Sequence, residues 1–227
     1  MSITAAMQDY LAEAYRLAYY QGEAQPISTS ALADVLGVSA PAVTRMVQRL
    51  KEAGYLDHEP YRGVVLTEDG VREALLSIRR HRLVERFLTD VMNFGWHEVH
   101  DAADELGAVV SDTLVERMDV MAGHPRRCPH GEPIPSRDGV MPRVVDTPLT
   151  DAALNIPLVV SRVSSHDEDK LRYLDTLGLK TGAAFELVER APFNGPLKLV
   201  IDGESHFIGH ELARTLRVCA PQEFELA

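Results

Sequence analysis

The chain has 227 residues, 45% of them hydrophobic and 25% charged, with a net charge of −11. Such a composition belongs to an ordinary globular protein; it excludes collagen-like, low-complexity and wholly disordered classes, and the length allows more than one compact unit. No stretch approaches the roughly 18 uncharged apolar residues of a membrane span, and the start lacks a basic region followed by an apolar core, so a cytoplasmic protein without a membrane partner is expected.

The first element is a helix whose apolar stripe, Met7, Tyr10, Leu11, Ala14, Leu17 and Ala18, follows the i, i+3, i+4, i+7 spacing of one helical face; it stops near Gln21 and Gly22. Two shorter helices follow. Ser28 or Thr29 can cap the first, Gly37 can end it in the left-handed conformation, Ser39 can cap the second, and Pro41 falls in its tolerated first turn. Ala33, Gly37 and Val43 supply the small residue, the turn glycine and the inward apolar residue of a helix-turn-helix. Val43, Met46, Val47 and Leu50 make its buried face. Ser39, Ala40, Pro41, Thr44, Arg45 and Gln48 are left to face outward, as reading base edges in a major groove requires. Residues 1–63 carry five basic and seven acidic side chains, so most of the acidity lies elsewhere.

Strand-like runs at Tyr55 to Glu59 and Val64 to Thr67 flank Pro60-Tyr61-Arg62-Gly63, a hairpin that reads as a wing, with Arg62 placed for a phosphate or minor-groove contact. A long helix from Glu68 to about Met92 and another from about His97 to Met121 follow, with apolar faces across residues 76 to 121. Six of the thirteen prolines then fall in residues 124–149, which marks an extended connector. From Ile156 the pattern changes to period two, predicting a small β-barrel of about 70 residues. The expected division is 1–73, a winged helix-turn-helix; 74–123, a helical dimerisation and metal-binding part; 124–153, the connector; and 154–227, the all-β domain. The fold is thus mainly α with a small all-β domain at the C-terminal end.

Metal-ligand residue types recur along this frame. His81 with Glu85, and His100 with Asp104, are i, i+4 pairs that each project from a single helical face. Cys128-Pro129-His130 places a thiol and an imidazole two residues apart, which in an extended chain puts them on one side. The other cysteine, Cys219, sits in a strand pattern and is expected in the core. His166-Asp167-Glu168-Asp169, where the β-domain begins, can add a ligand from another part of the chain. No nucleotide-binding glycine pattern, H-E-x-x-H or G-x-S-x-G occurs, so no catalytic constellation is expected. Nor is a small organic ligand.

The segment ISTSALADVLGVSAPAVTRMVQRLKEAGYL, followed by YRGVVLTEDG, RRHRLVERFL, VHDAADEL, SDTLVERM and HPRRCPHGEPIP, resembles the diphtheria toxin repressor / manganese transport regulator family. YLDTLGLKTGAAFEL and LARTLRV are similar to its FeoA-like, SH3-like domain. The resemblance covers essentially the whole chain and implies a homodimeric, divalent-metal-activated transcriptional repressor of metal-transport genes, binding double-stranded DNA at a palindromic operator. It implies one metal site at Glu85, Cys128, His130 and Asp167. A second would use Asp9, His81, His100 and Asp104, but Leu106-Gly107-Ala108 stands where the family has Leu-Glu-His and Ala12 replaces a glutamate. That site is either lost or rebuilt, with Glu13 and Glu105 available to it. Mn²⁺ is the implied activator with Fe²⁺ as the alternative, and the thiol and imidazoles suit Zn²⁺ or Cd²⁺ as well. A metal-handling partner of a transporter, without DNA binding, is the competing reading.

Overall fold

The structure, a computed structural model, describes residues 3–19, 26–59 and 63–226. The chain divides into two compact units. Met1–His81 with Pro135–Met141 form the first, and Arg82–Ile134 with Pro142–Ala227 the second.

In the first unit, α1 (Ala5–Tyr19) buries Met7, Leu11, Ala14 and Ala18, the stripe expected of it, while its predicted stop at Gln21 and Gly22 lies outside the described residues. The Ser28 hydroxyl accepts from Ala31 N–H and caps α2 (Thr29–Leu36). Gly37 closes that helix at φ +62°, a left-handed conformation that glycine enters at little steric cost. Ser39 precedes α3 (Ala40–Glu52) with an extended backbone, but its hydroxyl makes no capping bond. Pro41, two residues on, has no N–H to offer it, and Ala42 N–H goes to the Ser39 carbonyl at 2.9 Å. Val43, Val47 and Leu50 are buried with Leu11, Leu32, Leu56 and Val64 in one core.

The hairpin pairs β1 (Leu56–Glu59) with β2 (Gly63–Leu66) in antiparallel register, Leu56 opposite Leu66. Ile27 joins its inner edge through two 2.8 Å backbone bonds with Val64. Pro60, Tyr61 and Arg62 fall outside the described residues, and the contact expected of Arg62 falls with them. Thr67 starts α4 (Glu68–Asp90) by accepting Gly70 N–H at its hydroxyl, 3.1 Å away.

The second unit holds α5 (Val99–Gly107) and α6 (Asp112–Met121) where the sequence pattern predicts one helix. The break follows from local chemistry. Gly107 is a poor helix former, Val109 and Val110 are β-branched, and Ser111 takes the extended conformation (φ −78°, ψ 155°) that begins a new helix. The proline-rich connector is free of helix from Ala122 to Asp146. Beyond it lies a six-stranded antiparallel sheet: β3 (Thr147–Pro148), β4 (Pro157–Val163), β5 (Ala184–Arg190), β6 (Leu197–Ile201), β7 (Glu204–Ile208) and β8 (Leu216–Cys219), in the order β3-β8-β4-β5-β6-β7. Leu197, Leu199 and Ile201 of β6 alternate inward with Leu187, Val160 and Val218, the period-two signature of a sheet with one buried face. Cys219 is buried at the end of β8. Three helices, α7 (Glu168–Thr176), α8 (His210–Ala213) and α9 (Pro221–Leu226), lie between or after the strands. No helix among the described residues is long and apolar enough to cross a membrane.

Candidate metal centre

The connector brings Cys128 and His130 together by a tight turn rather than by the extended conformation the sequence suggests. Gly131 N–H donates to the Cys128 carbonyl at 2.9 Å, closing a four-residue turn with Pro129 at its second position, where the fixed proline φ suits it. Cys128 N–H donates to the Glu132 carbonyl, also at 2.9 Å. Gly131 has φ +88°, and a Cβ there would overlap the Ser161 carbonyl, so only glycine fits. The turn is pinned along its length. His130 O accepts from Val163 N–H at 2.8 Å, Pro129 O from the Thr181 hydroxyl at 3.0 Å, and Gly131 O from Arg127 Nη1 at 2.8 Å.

Glu85, from the second half of α4, meets this turn. The ligand atoms of Glu85, Cys128 and His130 all lie within 4.8 Å of one another, and the residues are only 2, 3 and 1% exposed. His130 Nε2 donates to the Trp96 carbonyl at 2.8 Å; a carbonyl only accepts, so the proton of the neutral ring sits on Nε2. That leaves the Nδ1 lone pair 3.5 Å from Glu85 Oε1, buried and without a hydrogen bond of its own. Two acceptors facing each other out of water are unfavourable unless a cation or proton stands between them. Burial, reinforced by the Glu85 charge and opposed by Arg82, pushes the Cys128 thiol well above its ordinary range. A buried carboxylate, thiol and imidazole, with the imidazole held by a backbone carbonyl, make a donor set that fits a divalent cation.

Two further imidazoles adjoin this cluster. His100 Nδ1 is 3.2 Å from Glu85 Oε1 and its Nε2 is 3.8 Å from Asp104 Oδ2, so one ring spans both carboxylates. The His166 ring stacks on His100 at 3.7 Å between centroids and lies 5.5 Å from His130. Asp167, expected in this group, is instead the N-cap of α7. It accepts from Lys170 N–H at 3.1 Å, and that bond holds its exposed carboxyl below the usual range. Asp9 is exposed on α1 and His81 is half-buried on α4, one helical turn before Glu85; both belong to the first unit, while His100 and Asp104 belong to the second.

On α3 the expected DNA-facing residues Ser39, Ala40, Pro41, Thr44, Arg45 and Gln48 are all exposed, the face opposite Val43, Val47 and Leu50. Thr44 bonds back to Ala40 O at 3.0 Å, and Gln48 donates to Glu52 at 2.9 Å.

Of the segment His166-Asp167-Glu168-Asp169, expected to add a ligand, it is His166 that adjoins the cluster. Sequence reasoning missed two supports of the cluster. The Trp96 carbonyl has no residue-type signal at all. Glu132, which bridges Arg82 at 3.2 Å and Arg162 at 3.3 Å, looks like any surface acid until the fold brings its partners in.

Comparison with known proteins decides the family. Residues 2–64 match the iron dependent repressor N-terminal DNA binding domain, residues 67–136 the iron dependent repressor metal binding and dimerisation domain, and residues 147–219 the FeoA domain. The iron-dependent repressor IdeR of Mycobacterium tuberculosis is 30% identical over 203 residues, covering 82% of this chain and 86% of that protein. The chain belongs to the iron-dependent (diphtheria toxin) repressor family. A solved structure described as a manganese-dependent transcriptional repressor in complex with manganese superposes with a TM-score of 0.85 at 34% identity, over 94% of this chain and 99% of that one. ScaR with bound Cd²⁺ gives 0.78 at 29%, over 94% and 99%. This repressor is therefore a metal-dependent transcriptional regulator that binds DNA and dimerises, and not an enzyme.

Proposed function

We propose that this repressor is a cytoplasmic Mn²⁺-activated homodimer that binds palindromic operators of metal-transport genes, with Glu85, Cys128 and His130 holding the activating ion. The observation that carries the metal assignment is the His130 Nδ1 lone pair turned on the Glu85 carboxylate in a buried cluster. A dication there neutralises the carboxylate and takes the imidazole lone pair and the thiolate. Glu85 comes from a helix and its two partners from a turn tied to β4, so the free energy of ligation favours the arrangement in which helix and turn meet. His130 keeps its Nε2–H on the Trp96 carbonyl throughout, which orients the ring.

The identity of the ion rests on the 34% identical manganese-complexed repressor. Fe²⁺ is the second reading, supported by the IdeR relatives. Cysteine and histidine donors suit Zn²⁺ and Cd²⁺ in vitro. The second set, Asp9, His81, His100 and Asp104, is proposed as a weaker site. Outward-facing Ser39, Ala40, Pro41, Thr44, Arg45 and Gln48 on α3, with Arg62 at the wing, are proposed to contact operator DNA. A two-fold dimer then reads half-sites about 34 Å apart or a multiple of that spacing.

The test is an electrophoretic shift with DNA upstream of metal-transport genes across Mn²⁺, Fe²⁺ and Zn²⁺, with metal counted per subunit. Glu85→Ala and His130→Ala should abolish the metal-dependent shift while circular dichroism stays that of the parent chain. An unchanged metal titration in both variants refutes the site, and a chain that shifts no such DNA in any metal favours a transporter-partner role.

A further inference from the structure

Two side chains hold the carbonyls of the metal turn, and both lead to the C-terminal helix α9. Arg127 Nη1 donates to the Gly131 carbonyl at 2.8 Å and reaches toward the Ser161 carbonyl at 3.5 Å, while the Thr181 hydroxyl donates to the Pro129 carbonyl at 3.0 Å. Arg127 precedes Cys128 and Gly131 follows His130, so one guanidinium closes a loop around both residues of the turn that carry ligand atoms. Phe224 of α9 stands behind it. The Arg127 guanidinium carbon is 4.9 Å from the centre of the Phe224 ring. Two atoms of that ring lie 3.5 Å from where a Cβ on Gly182 would stand, so the ring also rests against the residue that follows Thr181. All of these residues belong to the second unit.

Phe224 is half-buried and stands outside the core that Leu187, Leu197, Leu199 and Val218 form in the sheet. Glu223 fastens the start of its helix by accepting Ala220 N–H at 3.1 Å, which fixes where the next residue stands. The charge of Arg127 is offset by Asp146 and Glu132, so what it gives the turn is position rather than field. A long side chain loses conformational entropy when it holds a single bond. A guanidinium drawn to an aromatic face is already confined, and its Nη1 meets the Gly131 carbonyl at less cost.

We propose that Arg127 and Phe224 are positioning residues for the metal turn, and that α9 thereby sets how firmly Cys128 and His130 hold the ion. This role rests on the metal site proposed above. With Nη1 released, the turn keeps its backbone bonds from Gly131 N–H and Cys128 N–H, but its far end loses the tether that spans both ligand residues. Thiol and imidazole then have no fixed spacing. A donor set that must be reassembled holds an ion less tightly than one kept ready by its outer partners.

The full chain, freed of metal, is titrated with Mn²⁺ by calorimetry and with Co²⁺ by absorption, where the near-ultraviolet thiolate-to-cobalt band reports Cys128 as a ligand. Phe224→Leu keeps apolar bulk without the aromatic face, and about tenfold weaker Mn²⁺ binding is expected, with a weaker cobalt band at equal metal. Arg127→Lys keeps the charge but not the planar fork and should lose as much. Arg127→Met should also weaken Mn²⁺ binding, and in that background Phe224→Leu should change nothing further, because the ring acts through the guanidinium. A ring that only supports the fold would instead add its own loss there and lower the unfolding temperature of the metal-free chain. That additive result overturns the proposal, as does Mn²⁺ binding by Phe224→Leu and Arg127→Lys equal to that of the parent chain. Glu85→Ala separates this role from the site it serves. Should it bind Mn²⁺ as the parent does, the metal site and the positioning role fall together; should it lose Mn²⁺ while Phe224→Leu does not, only the positioning role falls.

Discussion

His130 and Asp167 show what a residue's surroundings add to its type. Both are ligand types in ligand-rich segments, yet the imidazole is buried with one nitrogen tied to a carbonyl and the other left facing a carboxylate, whereas the aspartate has turned to cap α7. His166, one residue earlier, is the member of that segment stacked on His100. If it supplies the fourth donor, His166→Ala should weaken Mn²⁺ binding by about 10–100-fold while Asp167→Ala costs only α7 about 1 kcal/mol of capping, read by calorimetry and thermal unfolding respectively. The opposite ranking restores Asp167 to the site. Gly131→Ala forces a Cβ into the Ser161 carbonyl at a left-handed position, and we expect it to cost about 1–3 kcal/mol in thermal unfolding and to weaken metal binding with it. Arg45→Ala, on the exposed face of α3, should weaken operator binding by about 1–3 kcal/mol in a shift assay and leave metal affinity unchanged. The structure brings Glu85, Cys128 and His130 together, and that they are ligand types was legible in the sequence. Their geometry was not, because it depends on a turn, a backbone carbonyl and a glycine contact that have no counterpart in residue type.

Among the elements, the helix-turn-helix, hairpin and sheet were legible because their signals are local: Ser28, Gly37 and Pro41 mark boundaries, and the inward alternation of β6 follows directly from residue order. The α5–α6 break was missed because the apolar period runs on through Val109 and Val110 while backbone preference does not. What fastens the connector to the sheet is equally invisible in the pattern. The side chain of Asp146 is 1% exposed and accepts from Ser161 Oγ at 3.0 Å, Arg162 Nε at 2.7 Å and Arg217 Nε at 2.6 Å, so β4 and β8 are tied to the residue just before β3. Burial works against its ionisation, but the bonds and charges of Arg162 and Arg217 outweigh it and hold the carboxyl below its ordinary value. The unfolded chain therefore takes up the proton first. The stabilisation is whole above the ordinary carboxylate value of about 4 and is lost as pH falls further, through the folded-state value. Asp146→Asn leaves two arginines facing a neutral group; we expect a loss of about 3 kcal/mol at neutral pH and a shallower acid dependence, measured by denaturant unfolding across pH.

At the scale of the whole molecule, the DNA-binding and dimerisation domains stand in one chain, so the pairing of two chains bears on how DNA is held. The surface that pairs them is proposed from what the second unit leaves uncovered: Val109 is 79% exposed, Leu114 and Met121 each 54%, and Val120 47%, all within the stretch matched by the metal binding and dimerisation domain. Apolar side chains so exposed over a dozen residues are unusual for a monomer and ordinary for the core of a subunit interface. Leu114→Asp places a charge in that core, where burying it without a partner opposes association. Analytical ultracentrifugation should then find a monomer, and operator affinity should fall by about 10²–10⁴ as the second half-site contact ceases to be intramolecular. Metal affinity per subunit should hold, because Glu85, Cys128 and His130 all come from one chain. A variant that stays dimeric places the interface elsewhere. A monomer that also loses its metal shows that the two chains build the site together, which would overturn the single-chain cluster as the ion's holder.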